Sequence, residues 1–462
     1  MTLIKSISGI RGTIGGKPGD NLTPIDIVKF AAAYGEMLKK ANPNKQLKVV
    51  IGRDARLSGQ MVSSLVSSTL TGQGINVIDL GLSTTPTVEI AVPLEKADGG
   101  IILTASHNPE QWNALNLLDN RGEFISAEAG QTIIDTAEKE DFVFAEVREL
   151  GSYAIDDSYL QKHIDMVVNY PLVDVNAIRE ADFKIAVDAV NSSGGIFVPA
   201  LLEALGVSDI VKLYCDPTGE FPHNPEPLPA HLTDLSDVVS LQECDLGITV
   251  DPDVDRLAFV CENGEVFGEE YTLVAVGDYV LSQRNGSAVS NLSSTRALRD
   301  VAEKNGGSYH ASAVGEVNVV NAMKKHNSVI GGEGNGGVIV PDFHYGRDEL
   351  IGIGLFLTHL AKSGKSMLDL RDSYPKYFIS KNKIELTPQI DVDMVLDQMA
   401  EKYKNESVNR IDGVKIDFPN GWVHLRKSNT EPIIRIYAEH ASEEDANQLA
   451  EGIISDIKSV IS

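Results

Sequence analysis

Short apolar runs rich in valine and isoleucine alternate along most of the chain with segments whose apolar residues recur at helical spacing. This alternation predicts strand–helix–strand units built on mostly parallel sheets. The predicted strands include, in chain order, LKVVIG, INVIDLG, GGIILTAS, FKIAVDAV, DIVKLYC, DLGITV, SAVSNLS and NSVIGG. We therefore expect three similar α/β domains with mixed, largely parallel sheets.

The first helix has a clear predicted start. Thr23 can cap it, Pro24 suits the first helical position, and Asp26 can complete a capping box. Apolar residues then follow at helical spacing, namely Ile27, Phe30, Ala31, Tyr34, Met37 and Leu38. A helix that begins at Pro24 is therefore predicted.

The end of the chain has a different pattern. KIDFPNGWVHLRKS and EPIIRIYAEH indicate strands around a polar turn, and SEEDANQLAEGIISDIKSVI indicates an amphipathic helix capped by Ser442 and Asp445. We expect a C-terminal α+β domain that can act as a lid. Charged, irregular stretches suit domain junctions, and we predict four domains around a central cleft, at residues 1–152, 153–256, 257–372 and 373–462.

Composition narrows the class of protein. The chain has 462 residues, 42% of them hydrophobic, which suffices for a soluble protein of several domains. Aspartate and glutamate outnumber lysine and arginine by 66 to 40, so we expect no nucleic-acid partner and no membrane partner. The three cysteines form no CxxC pair, and the chain shows neither a signal-peptide pattern nor a long apolar run. A cytoplasmic location without a disulfide framework is therefore expected.

Ligand sites in α/β proteins lie beyond the carboxyl ends of strands, so the loops after the apolar runs are the first candidates. The loop TASHNPEQWNALN, residues 104–116, places Ser106 and His107 directly after the strand GGIIL. Alone, this sequence is typical of a hydrogen-bonded turn. It lacks the glycines of the GxSxG motif, so a hydrolase nucleophile is not indicated.

A second loop, DPDVDR at residues 251–256, follows the strand LGITV and carries Asp251, Asp253 and Asp255. Alternate positions place the three carboxylates on one side of an extended loop, which suits a hard cation such as magnesium. The EF-hand spacing also fits, but Arg256 replaces the turn glycine and strands flank the loop. The main alternative interpretation of this loop is that of a haloacid-dehalogenase-like phosphatase, in which Asp251 would be the nucleophile that accepts the phosphoryl group.

Two further loops are candidates for substrate contacts. GGEGNGGV, residues 331–338, surrounds Glu333 and Asn335 with glycines that let a ligand approach the backbone. RKSNTEP, residues 426–432, combines arginine, serine and threonine in one turn, and Arg435 lies on the strand that follows. Guanidinium groups, hydroxyls and backbone amides together suit a phosphate.

These loops, with SGIRG at residues 8–12 and GRDARLSG at residues 52–59, occur in an order and spacing that resembles the α-D-phosphohexomutase family. The resemblance covers nearly the whole chain. It implies a phosphoserine at Ser106, which also contacts the Mg²⁺ bound by the three aspartates. It implies sugar contacts from Glu333 and Asn335. The implied contacts to the non-reacting phosphate are Arg426, Ser428, Asn429, Thr430 and Arg435.

The family chemistry that this likeness implies is reversible transfer of phosphate between the 1 and 6 positions of a hexose. A phosphoserine and a hexose 1,6-bisphosphate intermediate, which also serves as activator, carry the transfer. Mg²⁺ and arginines neutralise the transferring group, and Arg11 and Arg256 are the candidates for that role. The expected partner is a small phosphorylated sugar, and the expected assembly is a monomer or a homodimer.

The sequence departs from the family pattern at two places. Asn116 replaces the lysine assigned to proton transfer, which leaves His107 as the nearest titratable substitute. The sugar loop has the sequence GEGNGG instead of GEMSGH. The asparagine at position 335 resembles the residue at the matching position in the amino-sugar phosphate mutases. We therefore expect a phosphoglucosamine mutase. A broad phosphoglucomutase/phosphomannomutase, a haloacid-dehalogenase-like sugar phosphatase and an impaired sugar-phosphate-binding protein are the alternatives.

Overall fold

The structure is a computed structural model, and it describes residues 2–6, 9–385, 390–427 and 433–461. The chain divides into two compact units. The first unit contains Met1–Thr272 and Asn335–Leu368, and the second contains Leu273–Gly334 and Asp369–Ser462.

The first part of unit one is an α/β segment in which strands and helices alternate. Its elements are β1 (Ile4–Lys5), β2 (Gly9–Thr13), α1 (Pro24–Ala41), β3 (Lys48–Arg53), α2 (Gly59–Gly72), β4 (Asn76–Leu82), α3 (Thr85–Leu94), β5 (Gly99–Leu103), β6 (Trp112–Leu118), α4 (Ala127–Lys139) and β7 (Tyr153–Ile155).

These strands form one mixed sheet in the order β1-β2-β6-β5-β3-β4-β7. The strands β5, β3, β4 and β7 run parallel, whereas β1, β2 and β6 join by antiparallel pairing. Apolar residues of α1, α2 and α4 pack on one face of the sheet, and those of α3 pack on the other. Because both faces are covered, the central strands are apolar throughout, as in Gly99–Leu103.

The next α/β segment also belongs to unit one. It contains α5 (Tyr159–Val168), α6 (Val175–Ala181), β8 (Lys184–Asp188), α7 (Gly194–Ala204), β9 (Asp209–Leu213), a 3-10 turn (Pro229–His231), α8 (Thr233–Leu241), β10 (Leu246–Val250) and β11 (Leu257–Cys261). The sheet order is β11-β10-β8-β9, with only the β10–β11 pair antiparallel. The short connection between β10 and β11 is the DPDVDR loop.

The third α/β segment contributes to both units. It contains α9 (Tyr271–Gln283), β12 (Ser287–Asn291), α10 (Ala297–Lys304), β13 (Ser308–Ser312), α11 (Glu316–His326), β14 (Ile330–Glu333), β15 (Gly337–Ile339), α12 (Glu349–Ser363) and α13 (Met367–Asp372). Within unit two, β12 lies between β13 and β14 and runs parallel to both.

The last segment is α+β. It contains β16 (Phe378–Glu385), α14 (Val392–Lys402), β17 (Ser407–Asn409), β18 (Val414–Phe418), β19 (Gly421–Lys427), β20 (Ile433–His440) and α15 (Glu443–Ile461). Its sheet has the order β16-β20-β19-β18-β17 and is antiparallel throughout. Apolar residues of α14 and α15 pack on one face of this sheet.

The predicted fold class, three α/β segments with mixed sheets followed by an α+β segment, is confirmed. The predicted first helix begins at Pro24, and the backbone N–H of Thr23 donates to Asp26 Oδ2 at 3.1 Å. The predicted cap of the last helix also forms, because the Asp445 N–H donates to Ser442 Oγ at 3.1 Å. Among the described residues, no helix has the length and apolar content needed to cross a membrane.

Candidate functional site

The serine loop begins where β5 ends. Ser106 adopts a left-handed backbone conformation with a φ of 47°, which an L-residue holds only when its surroundings fix it. The Ser106 N–H donates to Thr104 Oγ1 at 2.9 Å, and the Thr104 hydroxyl donates to Asp54 Oδ2 at 2.6 Å. Because β3 and β5 are neighbours, Asp54 follows β3 at the same edge of the sheet. The loop is thus fixed from the adjacent strand.

Arg56 completes this support. Its side chain is fully buried, and its Nε donates to Asp54 Oδ2 at 3.0 Å. One guanidinium nitrogen donates to the Pro109 carbonyl at 2.6 Å, and the other donates to the carbonyl of Ser106. A planar guanidinium can bind several carbonyl oxygens of one loop at once, which a lysine cannot do. This role of Arg56 could not be predicted from the sequence, because backbone carbonyl acceptors leave no sequence pattern.

The Ser106 hydroxyl points at the aspartate loop. Its Oγ donates to Asp251 Oδ2 at 2.7 Å. His107 Nδ1 lies 3.3 Å from Ser106 Oγ. Burial, together with nearby Arg256 and Arg11, lowers the pKa of His107 to about 2. The imidazole is therefore neutral, and Ser106 lies between a neutral ring and a carboxylate.

Asp251, Asp253 and Asp255 lie between the ends of β10 and β11 and are buried. One carboxylate oxygen from each can be chosen so that all lie within 4.8 Å of one another. Asp251 Oδ1 accepts the N–H groups of Asp255 at 3.1 Å and Arg256 at 3.2 Å, which fixes the turn. The expected convergence of alternate carboxylates is thus present in the structure.

The electrostatics of this cluster favour a cation. Burial raises the pKa of Asp251 and raises the pKa of Asp253 to about 7, and repulsion between neighbouring aspartates adds to both shifts. Asp253 Oδ1 and Asp255 Oδ1 are buried and have no hydrogen-bond partner within the described part of the chain. Oxygen ligands with unused lone pairs are what Mg²⁺ binds, so these residues fit that ion.

Neighbouring elements hold the aspartates in place. The first residue of α3, Thr85, donates its hydroxyl to Asp253 Oδ2 at 2.6 Å and its N–H to the Asp253 carbonyl at 2.9 Å. The Ser192 hydroxyl donates to the Pro252 carbonyl at 2.7 Å. Arg347 Nη2 donates to Asp255 Oδ2. Both α/β sheets of unit one and the segment before α12 therefore contribute to the site.

Three arginines converge on this region. Arg11 Nη1 donates to Asn108 Oδ1 at 2.9 Å, which places it beside the serine loop. Arg256 Nη1 lies 3.0 Å from Glu226 Oε1, and the same oxygen is 3.9 Å from His107 Nε2. Sequence analysis did not identify Arg347 or Glu226. Their contacts are long-range, and the surrounding NPEP and YGRDE residues carry no signal of their own.

The two departures from the family pattern have structural counterparts. Asn116 lies on β6, and its amide donates to the Thr104 carbonyl at 3.1 Å, so it supports the start of the serine loop. A Cβ atom at Gly337 would lie 2.4 Å from Arg347 Cδ. Glycine at this position therefore leaves the space through which Arg347 reaches Asp255. Asn335 Oδ1 accepts the N–H of Gly337 at 3.3 Å.

The remaining predicted residues belong to unit two. Glu333, at the end of β14, is buried, and its Oε1 accepts the Asn291 amide at 2.9 Å. Arg426 and Arg435 stand opposite each other on β19 and β20. Ser428, Asn429 and Thr430 lie outside the described residues.

Lys383 on β16 is paired with Arg435, so one sheet face carries three cations in a row. Like charges directly across strands repel, and an anion would relieve that repulsion. Sequence analysis did not identify Lys383. The row suits the anionic ligand predicted for this turn.

Models of known protein families match most of the chain. Models of the phosphoglucomutase/phosphomannomutase α/β/α domains I, II and III match residues 3–144, 161–264 and 268–377. The model of the C-terminal domain of the same family matches residues 384–455. The matches follow one another without overlap and together cover most of the sequence.

Individual relatives agree with the domain matches. A phosphoglucomutase/phosphomannomutase of Thermococcus kodakarensis is 37% identical over 95% of this chain and 96% of its own. A phosphoglucosamine/phosphogalactosamine mutase of Sulfurisphaera tokodaii is 31% identical over 98% of both chains. A crystal structure of a phosphoglucomutase/phosphomannomutase family protein from Burkholderia thailandensis has a TM-score of 0.85 at 24% identity, covering 99% of this chain and 98% of that one.

Proposed function

The chain belongs to the phosphoglucomutase/phosphomannomutase family, and from that premise we propose that it interconverts the 1-phosphate and 6-phosphate of a hexose through phosphorylated Ser106. It is an isomerase that moves a phosphoryl group within its substrate. The observation that carries the role of Ser106 is its hydrogen bond of 2.7 Å to Asp251, inside a cluster of three buried carboxylates. A serine in that position can receive and return a phosphoryl group next to a bound cation.

Asp251, Asp253 and Asp255 would hold Mg²⁺ together with an oxygen of phosphorylated Ser106. Two buried aspartate oxygens that have no hydrogen-bond partner among the described residues support this assignment. The ion would neutralise charge on the transferring phosphoryl group. Arg347 and Thr85 fix Asp255 and Asp253 from neighbouring segments, so the carboxylates need not rearrange when the reaction begins.

The chain's own residues then account for the transfer. A sugar hydroxyl attacks phosphorus, the bond to Ser106 Oγ breaks, and the hydroxyl proton passes to the serine oxygen. In the return step, Ser106 Oγ attacks the other phosphate of the hexose 1,6-bisphosphate, the bond from that phosphorus to the sugar oxygen breaks, and the serine proton passes to the sugar oxygen. Arg11 and Arg256 balance charge on the phosphoryl oxygens. His107 Nδ1, 3.3 Å from Ser106 Oγ, is the proposed proton carrier, since Asn116 has no titratable group. The anionic phosphoryl group on Ser106 would raise the pKa of His107 from the low value set by burial and the nearby arginines.

The non-reacting phosphate would bind in unit two. Arg426 and Arg435, adjacent across strands, present two guanidinium groups on one face of the antiparallel sheet. Ser428, Asn429 and Thr430 would complete the binding turn. Glu333 and Asn335 would contact sugar hydroxyls. Because the two phosphates exchange roles during turnover, a grip that recognises only phosphate and hydroxyl groups can accept both orientations of the bisphosphate.

The proposed substrate is glucosamine phosphate. Asn335 offers both a donor and an acceptor, as does the amino-sugar mutase loop that it resembles. The relative from Sulfurisphaera tokodaii is named for phosphoglucosamine and phosphogalactosamine. The second candidate is a broad phosphoglucomutase/phosphomannomutase, which the relative from Thermococcus kodakarensis favours. The family assignment does not favour a phosphatase or a protein that only binds sugar phosphates.

The experiment that tests the function is phosphorus NMR of the purified protein with Mg²⁺ and a trace of hexose 1,6-bisphosphate. Glucosamine 6-phosphate and glucose 6-phosphate are offered in one tube. We expect 1-phosphate signals, with the glucosamine signal appearing faster, and no signal without Mg²⁺. Release of inorganic phosphate would support a phosphatase, and unchanged resonances would contradict the mutase. Faster conversion of glucose 6-phosphate would select the second candidate.

A further inference from the structure

Two proposed substrate-contact residues of unit two, Glu333 and Arg426, are connected through Asp412, which hydrogen bonds link to Glu333 and an ion pair links to Arg426. Glu333, the proposed sugar contact, accepts the N–H of Gly315 at 3.0 Å through its Oε1. The preceding residue, Val314, donates its N–H to Asp412 Oδ2 at 3.0 Å. Two consecutive backbone amides therefore bridge two carboxylates.

Asp412 also contacts the proposed phosphate-binding arginine. Its Oδ2 lies 2.8 Å from Nε of Arg426, so one carboxylate oxygen faces both Arg426 and the Val314 amide. The arginine is about three-quarters buried, with 23% of its side chain exposed. The contact is an ion pair by distance only, because Nε makes no hydrogen bond within the described part of the chain. A guanidinium paired on its Nε side keeps its terminal nitrogens for a phosphate.

A second arm links the same two ends through side chains. The Asn291 amide donates to Glu333 Oε1 at 2.9 Å, and Asn291 Oδ1 accepts the Ser293 N–H at 2.9 Å. Ser293 Oγ lies 2.8 Å from His424 Nδ1, and His424 Nε2 lies 2.6 Å from the Asp412 carbonyl. The path thus returns to Asp412.

The chemistry of His424 fixes the direction of this arm. Burial lowers the pKa of His424 to about 4, so the ring is neutral and carries one proton. A carbonyl oxygen only accepts, so the proton is on Nε2 and Nδ1 accepts from the Ser293 hydroxyl. Every donor in the arm then has an acceptor. We call this closed path the Asp412 ring, and its members are Asn291, Ser293, Val314, Gly315, Glu333, Asp412 and His424.

The backbone arm also depends on its local conformation. Gly315 has a φ of 109°, a region that L-residues rarely adopt. This conformation lets the N–H groups of Val314 and Gly315 serve two different carboxylates. A closed ring with two independent arms resists deformation more strongly than a single chain of contacts, because neither arm can lengthen without straining the other.

We propose that the Asp412 ring is a spacer that fixes the Glu333 carboxylate relative to the Arg426 guanidinium, with Asp412 and His424 as positioning residues. This inference rests on the proposed function, in which Glu333 contacts a sugar hydroxyl and Arg426 contacts the non-reacting phosphate. A fixed spacing selects a ligand whose hydroxyl and phosphate are separated by the matching length. The ring therefore makes the site select hexose 6-phosphates over shorter pentose 5-phosphates.

The test measures binding rather than turnover, by calorimetry with glucose 6-phosphate and ribose 5-phosphate. Asp412→Asn keeps an acceptor for the Val314 amide but removes the charge beside Arg426. We expect glucose 6-phosphate to bind about tenfold more weakly. The ratio of hexose to pentose affinity should fall about fivefold, because the ion pair that ties Arg426 to the ring is lost while both arms of the ring remain. The matched control is Asp393→Asn, which removes an exposed carboxylate 3.0 Å from Lys427 Nζ and should leave the ratio unchanged.

His424 gives an independent check. His424→Leu removes both hydrogen bonds of the side-chain arm and should lower the affinity ratio, whereas His424→Gln retains an amide donor for the Asp412 carbonyl and should restore part of it. Thermal unfolding of each variant separates loss of folding from loss of spacing. An unchanged ratio in folded Asp412→Asn and His424→Leu would overturn the spacer. Absence of turnover in a wild-type protein that binds glucose 6-phosphate would instead contradict the mutase function alone.

Discussion

The proposed reacting end in unit one and the proposed phosphate grip in unit two carry opposite charges. In unit one, three aspartates are buried together and neighbouring segments hold them by hydrogen bonds. In unit two, Lys383, Arg435 and Arg426 stand in a row across three antiparallel strands. The first arrangement suits a cation, whereas the second suits an anion.

The different charges of the aspartate cluster and the cationic row follow from the different roles proposed for them. Phosphoryl transfer depends on groups placed within a fraction of an ångström, which burial and many hydrogen bonds provide. A grip for a phosphate that is not reacting has to hold charge without selecting one atom, which long cationic side chains on a sheet can do. Substitutions in unit one should therefore reduce kcat, and those in the cationic row should raise KM.

The largest expected effect comes from Ser106→Ala, which removes the oxygen that accepts the phosphoryl group. We expect mutase activity to fall at least about 1000-fold while the fold persists, since Ser106 is only partly buried and alanine fits in its place. Phosphorus NMR measures the loss, and Ser64→Ala on the exposed side of α2 is the control. Full activity in Ser106→Ala would exclude the phosphoserine and favour Asp251 as nucleophile.

Arg56→Lys should have the next largest effect. A lysine retains the charge but cannot donate to several carbonyl oxygens of the serine loop, so Ser106 loses its fixed position. We expect kcat to fall about 100-fold with a smaller change in KM. Arg53→Lys, at a partly exposed neighbouring position, is the control. Equal losses in both variants would show that Arg56 has no special role in the loop.

Asp253→Asn separates metal binding from folding. Removing one of three crowded carboxylates should raise the Mg²⁺ concentration for half-maximal activity by about 10- to 100-fold. Without Mg²⁺ the same change should raise the melting temperature, because burial and repulsion from Asp255 disfavour the charge at Asp253. Activity across a Mg²⁺ titration measures the first effect, and calorimetry in the presence of a chelator measures the second. The control is Asp237→Asn on the exposed face of α8. A variant with lower metal-free stability would contradict the repulsion argument.

The local features of the two proposed sites could be predicted from the sequence better than the long-range contacts that bring their residues together. The capping box of α1 and the convergence of alternate aspartates follow from local periodicity, and both are present. The contact between Ser106 and Asp251 joins loops 145 residues apart, so only the family resemblance indicated it. Arg56 and Arg347 were missed because their partners are a set of carbonyl oxygens and a distant carboxylate.

Lys383→Gln is the smallest expected change and the sharpest test of the cationic row. Lys383 on β16 lies directly opposite Arg435 on β20. Solvent screens the charge of Lys383, because 59% of its side chain is exposed. We expect KM for the sugar phosphate to rise about threefold at low salt, with kcat unchanged and the effect reduced at high salt. Lys381→Gln, two residues earlier on β16, is the matched control. If the row acts as a unit, the KM effects of Lys383→Gln and Arg435→Gln should be less than additive when combined, because Arg426 is then the one cation left in the row. Full additivity would show that the three cations do not act as a unit. A fall in kcat equal to that of Arg56→Lys would contradict the expectation that the cationic row affects KM and unit one affects kcat.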